Sequence, residues 1–299
     1  MSTPQVPDEI RPRHLRLPDS SFTHWSELHA PDSTGTLRSY LRRLWEYREF
    51  AATVPLGQLA ARNQDTMLGR LWNLLNPLLL IAIYYFIFQT VLGIEDRRGV
   101  DNYLAFLTVG VITYNFTRSS VQGGALAIVR NRALVQSLHF PRVLLPVSSL
   151  IANTLSHLYA VVAMLAMLIL MGVRPTWMWA ALIPVLVMHG ALNLGLSMFV
   201  ARATFHFRDL ERLLSYLLRL GLYVSGVLIP LTSELIPLPG LLSVLKANPI
   251  YLMIEATRNV LLGSPFDGRA YVLAMMWSLG VLALGFIYFR QAEGRYGNV

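Results

Sequence analysis

Four ionisable side chains stand inside otherwise uncharged stretches: Arg118, His157, His189 and Arg219. Ionisable groups at membrane depth usually mark a pathway, yet no Asp or Glu is among these four. A carrier coupled to protons or sodium generally needs an intramembrane carboxylate, so secondary transport is disfavoured. Arg118 and Arg219 each fall within about two turns of the inner end of a span. Each is therefore placed either to snorkel to the interface or to line a path. His157 and His189 fall mid-span, where a histidine more often hydrogen-bonds a neighbouring helix. The chain has no cysteine, which excludes a thiolate nucleophile, a disulfide framework and a Cys-based metal site. Its seven histidines (14, 24, 29, 139, 157, 189 and 206) form no metal-spaced pair. No Ser–His–acid set and no pair of carboxylates gathers at one membrane face, so neither catalysis nor a metal is expected. Lys246 is the only lysine and lies between Leu245 and Ala247. A phosphate-binding loop needs a lysine beside glycine. Any ATP and Mg this protein uses must therefore bind another chain.

The elements that position these groups are those of a bilayer protein. Charged residues make up 14% of the 299 residues and apolar ones 54%, where soluble domains carry about a quarter charged. The charges also cluster, leaving 71–94, 143–173, 175–201 and 270–289 without any. A helix crosses the hydrocarbon core with roughly 20 apolar residues. The pattern predicts an all-α membrane protein of six transmembrane helices, at about 73–93, 102–122, 143–171, 177–200, 213–231 and 270–290. Lys and Arg alone set orientation. With the N-terminus inside, inner segments hold seventeen of the 25 Lys and Arg, outer loops hold six, and Arg118 and Arg219 lie within spans. The expected topology is N-in/C-in, which an even number of spans requires. The first 50 residues lack the apolar core of a cleavable signal peptide. Residues 1–35 show no periodicity and are expected to be a disordered cytoplasmic tail, followed by an amphipathic region over 36–61 and the transmembrane domain over 62–299.

Two further elements are not expected to span. Over 36–52, Leu37, Tyr40, Leu41, Leu44, Trp45, Tyr47 and Ala51 share one helical side, and Arg38, Arg42, Glu46 and Glu49 the other. Apolar Leu41 and Trp45 with basic Arg42 and Arg43 suit a helix lying in the membrane interface; packing on a soluble partner is the alternative. Between spans five and six, LIPLPGLLSVL and NPIYLMI are apolar but interrupted by Pro237, Pro239, Lys246 and Pro249. Each is too short to cross, which favours an outer re-entrant or interfacial helix pair. Tyr84, Tyr85, Phe86 and Phe88, with Tyr114 and Phe116, supply rings that can stack on sugars or anchor helices at an interface. Tyr216, Arg219 and Tyr223 follow at i, i+3 and i+7 and share a face. Ala191/Gly195 and Gly221/Ser225 are small pairs four apart that permit close helix contact.

Three segments resemble one family. RNQDTMLGRLWNLLNPLLL (62–80) is similar to the lead-in to the first span of ABC-2 exporter permeases. NRALVQSLHFPRVLLPVSSLI (131–151) resembles their inner loop, with FPR-x-x-LP the telling string. FRDLERLLSYLLRLGLYVSGVLIP (207–230) followed by NPIYLMIEATRNVLL (248–262) resembles the fifth span and outer gate. The polysaccharide and O-antigen exporting branch fits best, because a basic amphipathic segment directly precedes LGRLWNLLNP. The resemblance implies a homodimer around a channel in the plasma membrane, two copies of a separate P-loop ATPase holding ATP and Mg, and a lipid-linked glycan of O-antigen or galactan type. An exporter of a drug or small lipid is the alternative; no nucleic-acid partner is implied. Contact with the ATPase would fall on Arg130, Arg132, Leu134, Val135, Leu138, His139, Phe140 and Arg142, with Arg208 and Asp209 in the next inner loop. The apolar members of that loop would anchor in a groove of the ATPase. The substrate path would be lined by Tyr84, Tyr85, Phe88, Tyr114, Phe116, Tyr216, Arg219 and Tyr223. One departure stands out: family members often carry lysine in the lead-in and in the inner loop, where Gln136 and Ser137 stand here.

Overall fold

The computed structural model describes residues 71–91, 102–137, 140–234 and 236–293, together with Tyr40, Arg42, Leu44, Glu46 and Tyr47. Every regular element among the described residues is helical. Helix α1 (Trp72–Tyr85) continues into a π-helix over Phe86–Val91. Helix α2 (Tyr103–Ala125) starts at Asn102, whose side chain accepts from the Ala105 N–H and satisfies one orphan donor. Two short helices follow, α3 (Ala127–Arg130) and α4 (Arg132–Ser137). Then come α5 (Leu144–Leu170), a 3₁₀ turn over Trp177–Ala181 leading into α6 (Leu182–His206), and α7 (Leu210–Val224). Two helices too short to cross a bilayer come next: α8 (Pro239–Lys246) and α9 (Pro249–Leu262), each with proline in its first turn. The last is α10 (Gly268–Gln291).

Leu144–Leu170, Trp177–His206 and Gly268–Gln291 are each long and apolar enough to cross a membrane, and Leu75–Phe88 is a shorter apolar helix. Helix α2 has 23 residues but carries Asn115, Arg118, Ser119 and Gln122. It lies at the centre of the molecule, buried along most of its length, with α1, α5, α6, α7 and α9 packed around it. Helix α10 packs chiefly on α6.

The fifth predicted span is corrected. A continuous helix over 213–231 is expected from apolarity, but α7 ends at Val224. Gly226 then takes a left-handed φ of 64°, open to glycine at little cost. The carbonyls of Gly226 and Val227, released from the helix ladder, accept from the guanidinium of Arg258 at 2.9 and 3.0 Å. Hydrophobicity continues past the break; the backbone bonding does not.

Candidate functional site

A cavity of about 430 Å³ opens between α1, α2 and α5, and another of about 400 Å³ between α2, α5 and α7. Ser119, Gln122 and Asn153 line both, so the two are lobes of one groove. Its lining follows helical spacing. On α2 it is Asn115, Arg118, Ser119 and Gln122, at i, i+3, i+4 and i+7; on α5 it is Asn153, Ser156, His157 and Ala160, at the same intervals. Arg118 is the one cation of the first lobe, and it has no hydrogen-bond or ion-pair partner among the described residues. The second lobe reaches Arg130 and Glu211. The wall behind Arg118 is closely packed. Phe116 stacks on His157 with centroids 4.4 Å apart and meets His189 edge-on at 5.0 Å, while His189 Nε2 lies 2.6 Å from the Thr117 hydroxyl.

The aromatic residues expected to line a path divide into two sets. Helix α7 buries Leu214, Leu218 and Leu222 and turns Tyr216, Arg219 and Tyr223 outward. Tyr84, half-buried on α1, lies within electrostatic range of Arg118, Arg219 and Tyr223, so α1 and α7 bring these groups to one side of the molecule. Phe88 meets Tyr84 edge-on at 6.4 Å. Tyr85, Tyr114 and Phe116 are engaged in packing instead. Tyr85 stacks on Tyr103 at 6.5 Å. Tyr114 is buried and donates its hydroxyl to the Leu218 carbonyl, an approach that Gly221 leaves room for, since a Cβ there would lie 2.7 Å from that hydroxyl. The polar residues Asn115, Gln122, Asn153 and Ser156 were not singled out from sequence, although their heptad-like spacing is visible there.

At the other end of the groove, α3, α4, α5, α6, α10 and Tyr40 share an apolar cluster. Val135 (4% exposed) and Phe140 (7%) lie inside it and Leu134 packs against it, so these expected anchors are covered by the chain itself. The reason is that Phe286, Phe289 and Tyr40 offer apolar cover within the molecule. Arg130, Arg132 and Gln136 stay on the surface, as do Arg208 and Asp209 in the turn before α7; Leu138 and His139 lie outside the described residues. Tyr40 and Leu44 face inward, while Arg42 and Glu46 pair at 3.3 Å on the exposed side, where Tyr47, expected on the apolar side, also stands. Leu41, Arg43 and Trp45 lie outside the described residues.

One carboxylate ties this end together. Glu293 Oε1 accepts from the Arg142 N–H at 2.6 Å and from the Tyr40 hydroxyl at 3.1 Å, and the Arg142 guanidinium donates to the Glu293 carbonyl. Burial pushes the Glu293 carboxyl above its ordinary value of 4.5, against the opposing pull of Arg142, Tyr40 and Arg290. Glu293→Ala leaves two donors without an acceptor, a cost of about 1–3 kcal/mol, and should lower the melting temperature of the detergent-solubilised protein. The sign of the pH effect also follows. A carboxyl whose folded pKa is raised binds its proton more tightly in the folded state, so stability falls as pH rises from 4.5 through the folded value. Glu293→Gln should flatten that stretch of the profile; an unchanged slope would place the titration elsewhere.

Residues 56–262 match the ABC-2 type transporter family. The chain is similar to an O-antigen export system permease protein of Klebsiella pneumoniae, 26% identical over 242 residues that cover 81% of this chain and 91% of that one. It is also similar to an O-antigen export system permease protein of Myxococcus xanthus, 32% identical over 194 residues covering 64% of this chain and 73% of that one.

Proposed function

The chain belongs to the ABC-2 type transporter family, and from that premise we propose that it is the permease subunit of an ATP-driven exporter of a lipid-linked polysaccharide, of O-antigen or galactan type. It works as a homodimer in the plasma membrane, with two copies of a separate ATPase on the inner side. The similar O-antigen export permeases support the substrate class. ATP and Mg bind the partner, and this chain itself is not catalytic. Six crossings run through α1 with its π-turn, α2, α5, α6, α7 with the non-helical stretch that follows it, and α10. The end carrying Arg130, Arg132, Arg142, Arg202 and Arg290 faces the cytoplasm. Helices α8 and α9 fold back from the outer side as a re-entrant pair.

The observation that carries this reading is the face of α7. Three leucines at i, i+4 and i+8 bind it to the molecule, so Tyr216, Arg219 and Tyr223, with Arg212 a turn earlier, stand outward. Lipid is a poor neighbour for two arginines. A hydrated path at the interface with a second copy suits them: rings stack on sugar faces, and the guanidinium donates to hydroxyls. Repeated weak contacts of that kind let a polymer slide, where one tight site would hold it. The ATPase docks on the exposed basic residues of α3 and α4 and on the 207–209 turn, and Glu293 transmits that contact to α10 and the amphipathic segment. The double variant Arg219→Ala/Tyr223→Ala should lower surface glycan at least tenfold, while dimer and ATPase complex are still recovered on co-purification. Normal export by that variant would overturn the path.

A further inference from the structure

We propose that ordered water is built into the seam between α2 and α6, where it bridges the Asn193 carboxamide to the Ser120 hydroxyl. The two helices turn polar stripes toward each other. On α6, His189, Asn193, Ser197 and Thr204 share one helical face; on α2, Thr113, Thr117, Ser120 and Gly124 do the same, and all eight are buried. Two contacts fix the register. His189 Nε2 lies 2.6 Å from the Thr117 hydroxyl. About two turns further along each helix, a Cβ on Gly124 would stand 2.7 Å from Ser197 Cα. Ser120 and Asn193 each come about one turn after the first contact and one before the second, so they stand level across the seam.

At that level the polar atoms have no protein partner. Ser120 Oγ, both polar atoms of the Asn193 carboxamide and, one turn away on the same face, His189 Nδ1 are buried without a hydrogen bond among the described residues. Ser120 and Asn193 are wholly shielded from the surface. Leaving such groups unanswered is costly, and inside a bilayer no solvent relieves it. Their chemistry names the molecule that answers them. The carboxamide nitrogen donates, its oxygen accepts, and a hydroxyl does either. An anion satisfies donors alone and a metal ion acceptors alone, and no Asp or Glu is among the buried residues described. Water does both, and a buried water typically makes about three hydrogen bonds to groups of this kind. A direct bond from Ser120 would serve only one of the two carboxamide atoms.

The water acts on the groove from behind. Ser119 and Gln122, next to Ser120 on α2, line both lobes. Hydrogen bonds then join α2 to α6 at successive levels: Thr117 with His189, water between Ser120 and Asn193, and Ser197 donating to the Ser120 carbonyl at 2.9 Å. Asn193 is thereby a positioning residue for the groove's central wall, whatever the groove carries.

The test is an electron cryo-microscopy map of the full-length protein in lipid nanodiscs, at a resolution that shows ordered waters. Expected is a discrete peak about 2.7–3.2 Å from both the Asn193 carboxamide and Ser120 Oγ. Thermal unfolding supplies a second reading, because its sign differs between a bridged seam and a dry one. In a dry seam, Asn193→Leu removes two unanswered atoms and raises the melting temperature. In a bridged seam it strands the water and Ser120, and the melting temperature falls by about 2–4 °C. Ser120→Ala adds no bulk, so it decides the sign should the leucine variant fail to fold; it too should melt lower. A map without the peak, a direct bond between Asn193 and Ser120, or a Ser120→Ala melting temperature that is unchanged or raised would overturn the proposal. Neither readout involves glycan export, so the outcome is independent of the permease reading.

Discussion

Arg258→Ala is expected to abolish recovery of monodisperse protein from detergent, although the residue lines neither lobe of the groove. Arg258 is completely buried, an unusual place for a guanidinium. It is paid for by a full set of acceptors: the Phe106 carbonyl at 3.2 Å, Gly226 at 2.9 Å, Val227 at 3.0 Å and the Glu255 carboxylate at 2.7 Å. Its flat face lies 3.3 Å from the Phe106 ring centroid. One side chain thus joins α2, the broken end of α7 and α9. Gly110 makes the space, since a Cβ there would stand 2.5 Å from Arg258 Nη2. Alanine would strand three carbonyls and leave Glu255, only 15% exposed, without its partner. Removing one member of a buried pair costs about 3–5 kcal/mol, a large part of a typical 5–15 kcal/mol of stability. Arg258→Lys keeps the charge but cannot fork to three elements, so it should rescue yield only in part. Gel-filtration profile and melting temperature decide it; Arg258→Ala running and melting like the unaltered protein would refute this role.

Arg258 also shows where sequence reading stops. From the sequence it is one of six basic residues in outer loops, a solvated charge in a short apolar segment. Apart from Glu255 three positions away, its acceptors come from residues 106, 226 and 227, more than 30 positions away, and a local reading does not reach them. The charge-free runs were far more legible. The bounds of α5 and α10 fall within two residues of expectation, because length and apolarity decide them. The groove is half legible: Arg118 is marked by its charge, whereas Asn115, Gln122 and Asn153 are neutral residues that carry no such mark. Phe140 and Val135 illustrate the opposite limit. An amphipathic pattern says that one face needs cover, and here the cover is Phe289 and Tyr40 of the same chain.

The second large effect is expected on the side away from the groove, where α6 and α10 touch backbone to backbone. A Cβ at Gly285 would stand 2.9 Å from Gly195 Cα and closer still to the Gly195 carbonyl oxygen; one at Gly195 would stand 2.6 Å from the Leu282 nitrogen. The small pair read from sequence at 191/195 is thus half of a crossing whose other half is Gly285. Two effects of Gly285→Ala compete. Alanine favours a helix over glycine by about 0.8–1.0 kcal/mol. Against that, backbone atoms cannot rotate aside, so the helices must part and loosen the interface, a cost of about 1–3 kcal/mol for overpacking. The second wins. Gly280 supplies the control on the same helix, since a Cβ there meets nothing within 4 Å. Gly280→Ala should therefore hold or raise the melting temperature, Gly285→Ala should lower it, and Gly285→Leu should yield no folded protein. The crossing is locked again one end along by Arg202, which donates to the Tyr288 carbonyl and lies 3.9 Å over the Tyr288 ring. A pair fixed at two points is suited to act as one body, apart from α1 and α7, which border the groove. If that division holds, Gly285→Ala lowers stability and ATPase-complex yield together, whereas Arg219→Ala/Tyr223→Ala lowers export alone. Equal melting temperatures for Gly285→Ala and Gly280→Ala would mean that α10 is free to shift and that the division is wrong.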